Sequence, residues 1–177
     1  REINSKFKSH LADIFIESIK TFSISKKQAY KRMVCINPEL PNKYFKEGKN
    51  IIIVGGHYNN WELYAVALKN HLKFSTYAIY KPLSNLFFDK KMRKTRGKFG
   101  LQLVPMNLTK NYFTETITAP RAIIFGSDQS PSKAKKAYWT NFLNQDTAVQ
   151  YGVEKFALEY NWPVIYGGIR KVKRGYY

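Results

Sequence analysis

Four consecutive apolar, β-branched residues, Ile51-Ile52-Ile53-Val54, run without a polar interruption and stop at Gly55-Gly56. Such a run is too apolar on both faces for a strand with one side in water, so it belongs in the middle of an α/β sheet covered by helices on both sides. Asn60 is a good N-cap for the apolar-periodic segment Trp61 to Leu72. His57 therefore falls in a short turn at the carboxyl end of a buried strand. In open α/β sheets that is where ligands bind.

Elements of the two types alternate along the rest of the chain. Strands are expected at Asn50 to Val54, Phe74 to Tyr80, Leu101 to Val104, Ala122 to Gly126 and Pro163 to Ile169. Helices are expected between them at Asn60 to Leu72, Asn85 to Phe99, Lys110 to Thr118 and Ala148 to Tyr160. The expected fold class is α/β, a layered, mostly parallel or mixed sheet flanked by helices. Residues 1–177 suffice for one domain with a core of its own. Upstream, Ile3, Phe7, Leu11, Ile14, Phe15, Ile19 and Phe22 recur at helical spacing and predict an amphipathic first helix. Its apolar side is expected to pack on the domain, with lying flat on lipid as the other option. Pro38 to Lys46 reads as a second short helix stopped by Gly48, and Met33 to Ile36 as a short strand that buries Cys35.

His57 and Glu62 are five residues apart. On one helix that spacing sets them about 140° apart, and on one strand it sends them to opposite faces. They meet only if the chain bends between them, and Gly56 and Asn59-Asn60 permit a bend. Glu62 then sits in the first helical turn, where the backbone dipole favours a carboxylate. A carboxylate beside an imidazole fixes its tautomer and supports the imidazolium formed when it takes a proton. The blander alternative is a hydrogen-bonded turn histidine and an ordinary helix-start acid.

Thirty Lys and Arg against twelve Asp and Glu give a formal charge of +18. A field of that sign attracts polyanions: nucleic acid, an anionic membrane surface or a phosphorylated lipid. The densest basic run is Lys90 to Lys98, where Arg93 and Arg96 share a helical face and offer the rigid fork that suits phosphate. Its lysines also read as a solvated face. Asp128-Gln129 follows an apolar strand, so it shares the rim of His57 if the strands run parallel; an Asx turn is the alternative. Beyond it, Lys133, Lys135 and Lys136 face headgroups or water, and Tyr138, Trp139, Phe142 and Leu143 serve as core or line a channel. The lone Cys35 has no disulfide partner. His10, His57 and His71 lack ligand spacing with Cys or paired acids, so no metal is expected. No apolar run is long enough to span a bilayer. The chain opens at Arg1 and closes at Tyr177 just after a strand, as a fragment would.

The segment Gly56-His57-Tyr58-Asn59-Asn60-Trp61-Glu62 resembles the H-x4-E box of the bacterial lipid A biosynthesis (lauroyl/myristoyl) acyltransferases, within the lysophospholipid acyltransferase superfamily. The resemblance continues in order through Tyr80-Lys81-Pro82-Leu83-Ser84-Asn85 with Arg93, Arg96, Gly97 and Gly100, then Ser127-Asp128-Gln129-Ser130, then Trp139 to Asp146. It covers essentially the whole chain. Asn59 departs from the pattern, which usually has a small residue there, commonly Gly. The resemblance implies a glycerolipid-acyltransferase-like domain, an N-terminal membrane anchor upstream, further structure downstream and a place on the cytoplasmic face of the inner membrane. It implies His57 and Glu62 as a catalytic general-base dyad, Arg96 as the functional arginine with Arg93 in reserve, and Asp128 and Gln129 as a polar wall for substrate. It implies an acyl-acyl carrier protein as donor co-substrate, with no other cofactor, and a hydroxyl of a lipid A precursor as the anionic acceptor. Glycerophospholipid acyltransferases resemble the chain more distantly, since their box generally has Asp where this chain has Glu62. From another class, a basic nucleic-acid-binding domain would use the interleaved Lys and Tyr, but the chain has no recognisable DNA- or RNA-binding motif and nucleic acid is not an expected partner.

Overall fold

The computed structural model describes residues 2–115, 118–131, 135 and 137–177. Lys133 and Lys136 lie outside the described residues. Among the described residues the sheet has five strands: β1 (Ile51–Gly55), β2 (Ser75–Tyr80), β3 (Gln102–Pro105), β4 (Arg121–Gly126) and β7 (Val164–Tyr166). Their order is β3-β2-β4-β1-β7 and every pairing is parallel. β1 is thus an interior strand, as its unbroken apolar run requires. Ile51 and Ile53 point to one face with Phe74, Ala122, Leu68 and Leu72, and Ile52 points to the other with Tyr77, Val104, Phe113 and Ile123. On the second face an aromatic cluster thickens the core: Phe113 stacks on Phe156 at 4.4 Å and lies 4.6 Å from Trp162.

Seven helices surround the sheet among the described residues: α1 (Glu2–Thr21), α2 (Lys26–Arg32), α3 (Glu39–Lys46), α4 (Trp61–Ala67), α5 (Leu86–Gly97), α6 (Thr109–Thr114) and α7 (Gly152–Tyr160). Asn60 caps α4 as expected, its side chain accepting from the Leu63 N–H at 2.8 Å. Gly48 follows α3 with φ +68°, the left-handed geometry that ends a helix.

Several expectations need correction. Met33 to Ile36 is an irregular segment, not a strand, and it follows the short helix α2, which Ser25 caps by accepting from the Gln28 N–H. The segment expected to begin a helix at Ala148 is the end of an antiparallel hairpin, β5 (Tyr138–Phe142) with β6 (Gln145–Val149). Its two-residue turn, Leu143-Asn144, is left-handed at both positions (φ 53° and 62°), which matches the twist of a hairpin. Tyr138, Trp139, Phe142 and Leu143 are exposed there and are not core. Finally, α1 turns its polar side inward. Asp13 and Thr21 are its buried residues, while Ile3, Phe7, Leu11, Phe15 and Ile19 are exposed.

Candidate active site

Adjacent parallel strands carry their carboxyl-terminal residues to one rim, and the register is explicit: Gly55 of β1 lies opposite Gly126 of β4. Two residues past each glycine stand His57 and Asp128. The His57 ring Nδ1 is 2.8 Å from Asp128 Oδ1, and the His57 backbone N–H donates to Asp128 Oδ2 at 2.8 Å. Partial burial pushes the Asp128 carboxyl up. Hydrogen bonds from the His57 side chain, the His57 backbone and its own backbone outweigh that and hold it below the ordinary aspartate range. A charged carboxylate on Nδ1 makes that nitrogen the donor and leaves the Nε2 lone pair free.

Two glycines make this approach possible. A Cβ on Gly126 would stand 3.0 Å from His57 Cε1, and one on Gly56 would stand 3.2 Å from Asp128 Cγ. The Trp61 ring packs edge-on against the imidazole, with centroids 5.4 Å apart. Asn59, where a small residue was expected, adopts φ +56° and donates from Nδ2 to the Ile169 carbonyl at 2.8 Å. Asparagine tolerates this left-handed conformation, so it makes the turn and also ties it to the downstream chain.

The expected partnership of His57 with Glu62 is not the one that forms. Both Glu62 oxygens are taken by Arg96 of α5, from Nε at 2.8 Å and Nη2 at 2.5 Å. The reason is geometric and electrostatic. Asn59 and Asn60 turn the chain into α4 so that Glu62 enters its first turn facing α5, where a permanently charged guanidinium offers two parallel bonds. Glu62 is buried, and its hydrogen bond holds Arg96 firmly protonated, above the usual arginine value, against the opposing effect of burial. Arg93 is half exposed and pairs with Asp89 at 2.8 Å. Gln129 is exposed, its carbonyl accepting from Gln150 Nε2 at 3.1 Å, and Lys135 is exposed as well.

His57, Trp61, Tyr64, Tyr80 and Arg96 line a pocket of about 130 Å³ whose remaining walls, including Ile53, Ala78, Ile79 and Phe125, are mostly apolar. Tyr64, whose hydroxyl is pushed up by burial, separates this pocket from a slightly larger hollow of about 160 Å³ lined by Cys35 and His71 among others. The larger hollow lacks His57 and Arg96, so the smaller one is the chemical site. It offers a free imidazole nitrogen backed by a carboxylate, a fixed cation backed by a second carboxylate, and apolar walls. Such a set can take a proton from a hydroxyl, hold an anionic group and accept a hydrocarbon chain.

Asp128 stands on the rim as its sequence position predicts, but as the imidazole's partner and not only as a substrate wall. A signal was available: Ile53-Val54-Gly55-Gly56-His57 and Ile124-Phe125-Gly126-Ser127-Asp128 end two apolar strands at the same offset. Among known families, the one described as "Bacterial lipid A biosynthesis acyltransferase" matches residues 2–177. No curated protein matches the chain.

Proposed function

The chain belongs to the bacterial lipid A biosynthesis acyltransferases, enzymes that act on a lipid acceptor and associate with membranes, and we propose that it moves a fatty acyl chain from an acyl carrier protein thioester to a hydroxyl of a lipid A precursor. His57 Nε2 takes the hydroxyl proton as the acceptor oxygen attacks the thioester carbonyl. The C–S bond then breaks, and the imidazolium returns the proton to the departing thiolate. Asp128 orients the ring and offsets its developing charge. Arg96, held by Glu62, faces a phosphate of the acceptor or of the donor's pantetheine arm, so Glu62 acts through the arginine and not on the imidazole. An acidic carrier protein and a phosphorylated lipid both suit the charge of +18. The proposed location is the cytoplasmic face of the inner membrane, where both substrates would meet.

The observation that carries this reading is the His57–Asp128 pair opening on the same apolar pocket as Arg96. The test is an acyl-transfer assay with the full chain, an acyl-acyl carrier protein donor and two acceptors, a phosphorylated lipid A precursor and a lysophospholipid. Transfer should favour the lipid A precursor, and His57→Ala should lower turnover by about 10²-fold or more. Preference for the lysophospholipid, or near-normal turnover by H57A, would overturn it.

A further inference from the structure

We propose that the outward apolar face of α1, continued by the start of α5, lies in the plane of an anionic bilayer surface and docks the catalytic domain on it. The inference rests on the family's lipid acceptor but not on the roles given to His57 and Asp128.

The face is outward because the opposite side of α1 is spent inward. Asp13 receives Lys171 at 3.0 Å and Arg174 at 2.6 Å. One helical turn on, Glu17 accepts from Asn60 Nδ2 and from the Tyr177 hydroxyl, both at 2.7 Å. A further turn on, the buried Thr21 gives its carbonyl to Lys98 Nζ at 2.5 Å. Positions 13, 17 and 21 form one stripe, and Ile3, Phe7, Leu11, Phe15 and Ile19 form the other. Phe7 is 61% exposed and Phe15 is 67% exposed. At its end α1 meets α5, where Lys91 Nζ stands 5.2 Å over the Phe22 ring and Phe87 and Phe88 are exposed nearby in sequence. An exposed apolar stripe running the length of a 20-residue helix is rare on a protein that stays in water.

Charge selects the occupant. Among the acids of α1 and α5, Asp13, Glu17 and Asp89 are engaged inward or with Arg93, and Glu2 pairs with Lys6. Lys8 and Lys20 on α1 and Lys90, Lys91 and Lys94 on α5 are exposed. An apolar stripe edged by lysines fits hydrocarbon below and anionic headgroups around it. Among the described residues no helix is long and apolar enough to cross a membrane. The placement also suits the chemistry. α5 leaves the sheet just past Tyr80, a wall of the pocket, and Glu17 bonds directly to the Asn60 cap behind the His57 turn. The docking helix and the catalytic turn are therefore joined by a direct hydrogen bond.

The test is flotation of the full chain with vesicles of phosphatidylglycerol and phosphatidylethanolamine, compared with phosphatidylcholine. The anionic vesicles should bind it more tightly, with binding weakened by salt, and the double variant Phe7→Ser, Phe15→Ser should lose about tenfold or more. Phe87→Ser should weaken binding in the same direction. A polarity-sensitive dye on F15C, in a Cys35→Ser background, should shift to the blue on the vesicles and be quenched by lipid-borne quenchers. His57→Ala should float like the wild type while losing transfer, which separates this proposal from the catalytic one. Equal binding by the F7S/F15S variant, an unshifted dye, or a dimer that the double variant dissolves would overturn it, the last by showing a second copy on this face.

Discussion

Replacing Asp128 by Asn removes one charge and almost no volume, and the two bonds to His57 make its consequence specific. The carboxylate accepts from both Nδ1–H and the backbone N–H. An amide has one oxygen to offer. If that oxygen meets Nδ1–H, the amide NH₂ faces the backbone N–H, donor against donor. If it meets the backbone, the NH₂ donates to Nδ1 and the ring proton moves to Nε2, which removes the base. A hydrogen bond to a charged group is worth about 1.5–3 kcal/mol, and about 1.36 kcal/mol is tenfold in rate, so kcat should fall by about 10- to 150-fold. The His57 and Asp128 side chains are 38% and 42% exposed, so solvent screening favours the lower half of that range.

The assay is initial-rate acyl transfer by the purified chain in detergent micelles, with donor and acceptor varied in turn. KM for both substrates should stay within a few-fold, because the carboxylate touches the imidazole and not the acyl chain. Melting temperature should change little, since the pair sits on the rim and not in the core. Wild-type kcat in D128N, with an unchanged melting temperature, would refute the claim that Asp128 sets the tautomer. A loss confined to KM would point instead to the substrate wall first expected from the sequence.

Gly126→Ala places a methyl 3.0 Å from His57 Cε1 without backbone strain, so it should displace the ring and lower kcat at least about tenfold with a folded, normally melting protein; activity near wild type would show that the imidazole has room to move. Asp13 is held below the ordinary aspartate range, first by the Lys171 hydrogen bond and also by Arg174, against the upward push of burial. A depressed folded value adds stability that is fully present above about pH 3.9 and lost as pH falls through the lower folded value. Asp13→Asn should therefore destabilise the neutral protein by about 1–2 kcal/mol, given that Arg174 is largely exposed, and should flatten the acid limb of an unfolding-versus-pH series; an unchanged limb would remove Asp13 from that role.

The parts of the fold legible in the sequence are those in which burial leaves a pattern. β1 and β4 were expected within a residue or so because strands covered on both faces are continuously apolar, whereas β2, which carries Ser75 and Thr76, is marked by its β-branched and aromatic residues. Helix α4 was legible from a cap and a periodic run together. The hairpin was not, since β5 is exposed along its whole length and has no buried face to mark in the sequence. Periodicity showed that α1 is amphipathic but not which side faces inward. That choice was made by Asp13 and Glu17, whose partners Lys171, Arg174, Asn60 and Tyr177 come from far along the chain.

The same distinction explains the site. A box of six residues suggests that its two polar ends serve each other, yet their partners are set by separate kinds of packing. His57 meets Asp128, 71 residues away, because β1 and β4 are neighbours in register. Glu62 meets Arg96, 34 residues away, because α4 lies against α5. The short spacing inside the box then has a different meaning. It lets one turn deliver a base to the sheet rim and an acid to the helix layer, so that an imidazole and a guanidinium from different layers look into one pocket. On this arrangement the imidazole and arginine halves should fail independently: Asp128→Asn should affect proton transfer, whereas loss of Glu62 should release Arg96 and weaken its hold on an anionic group. If both losses instead produced the same kinetic defect, the two pairs would have to act as one.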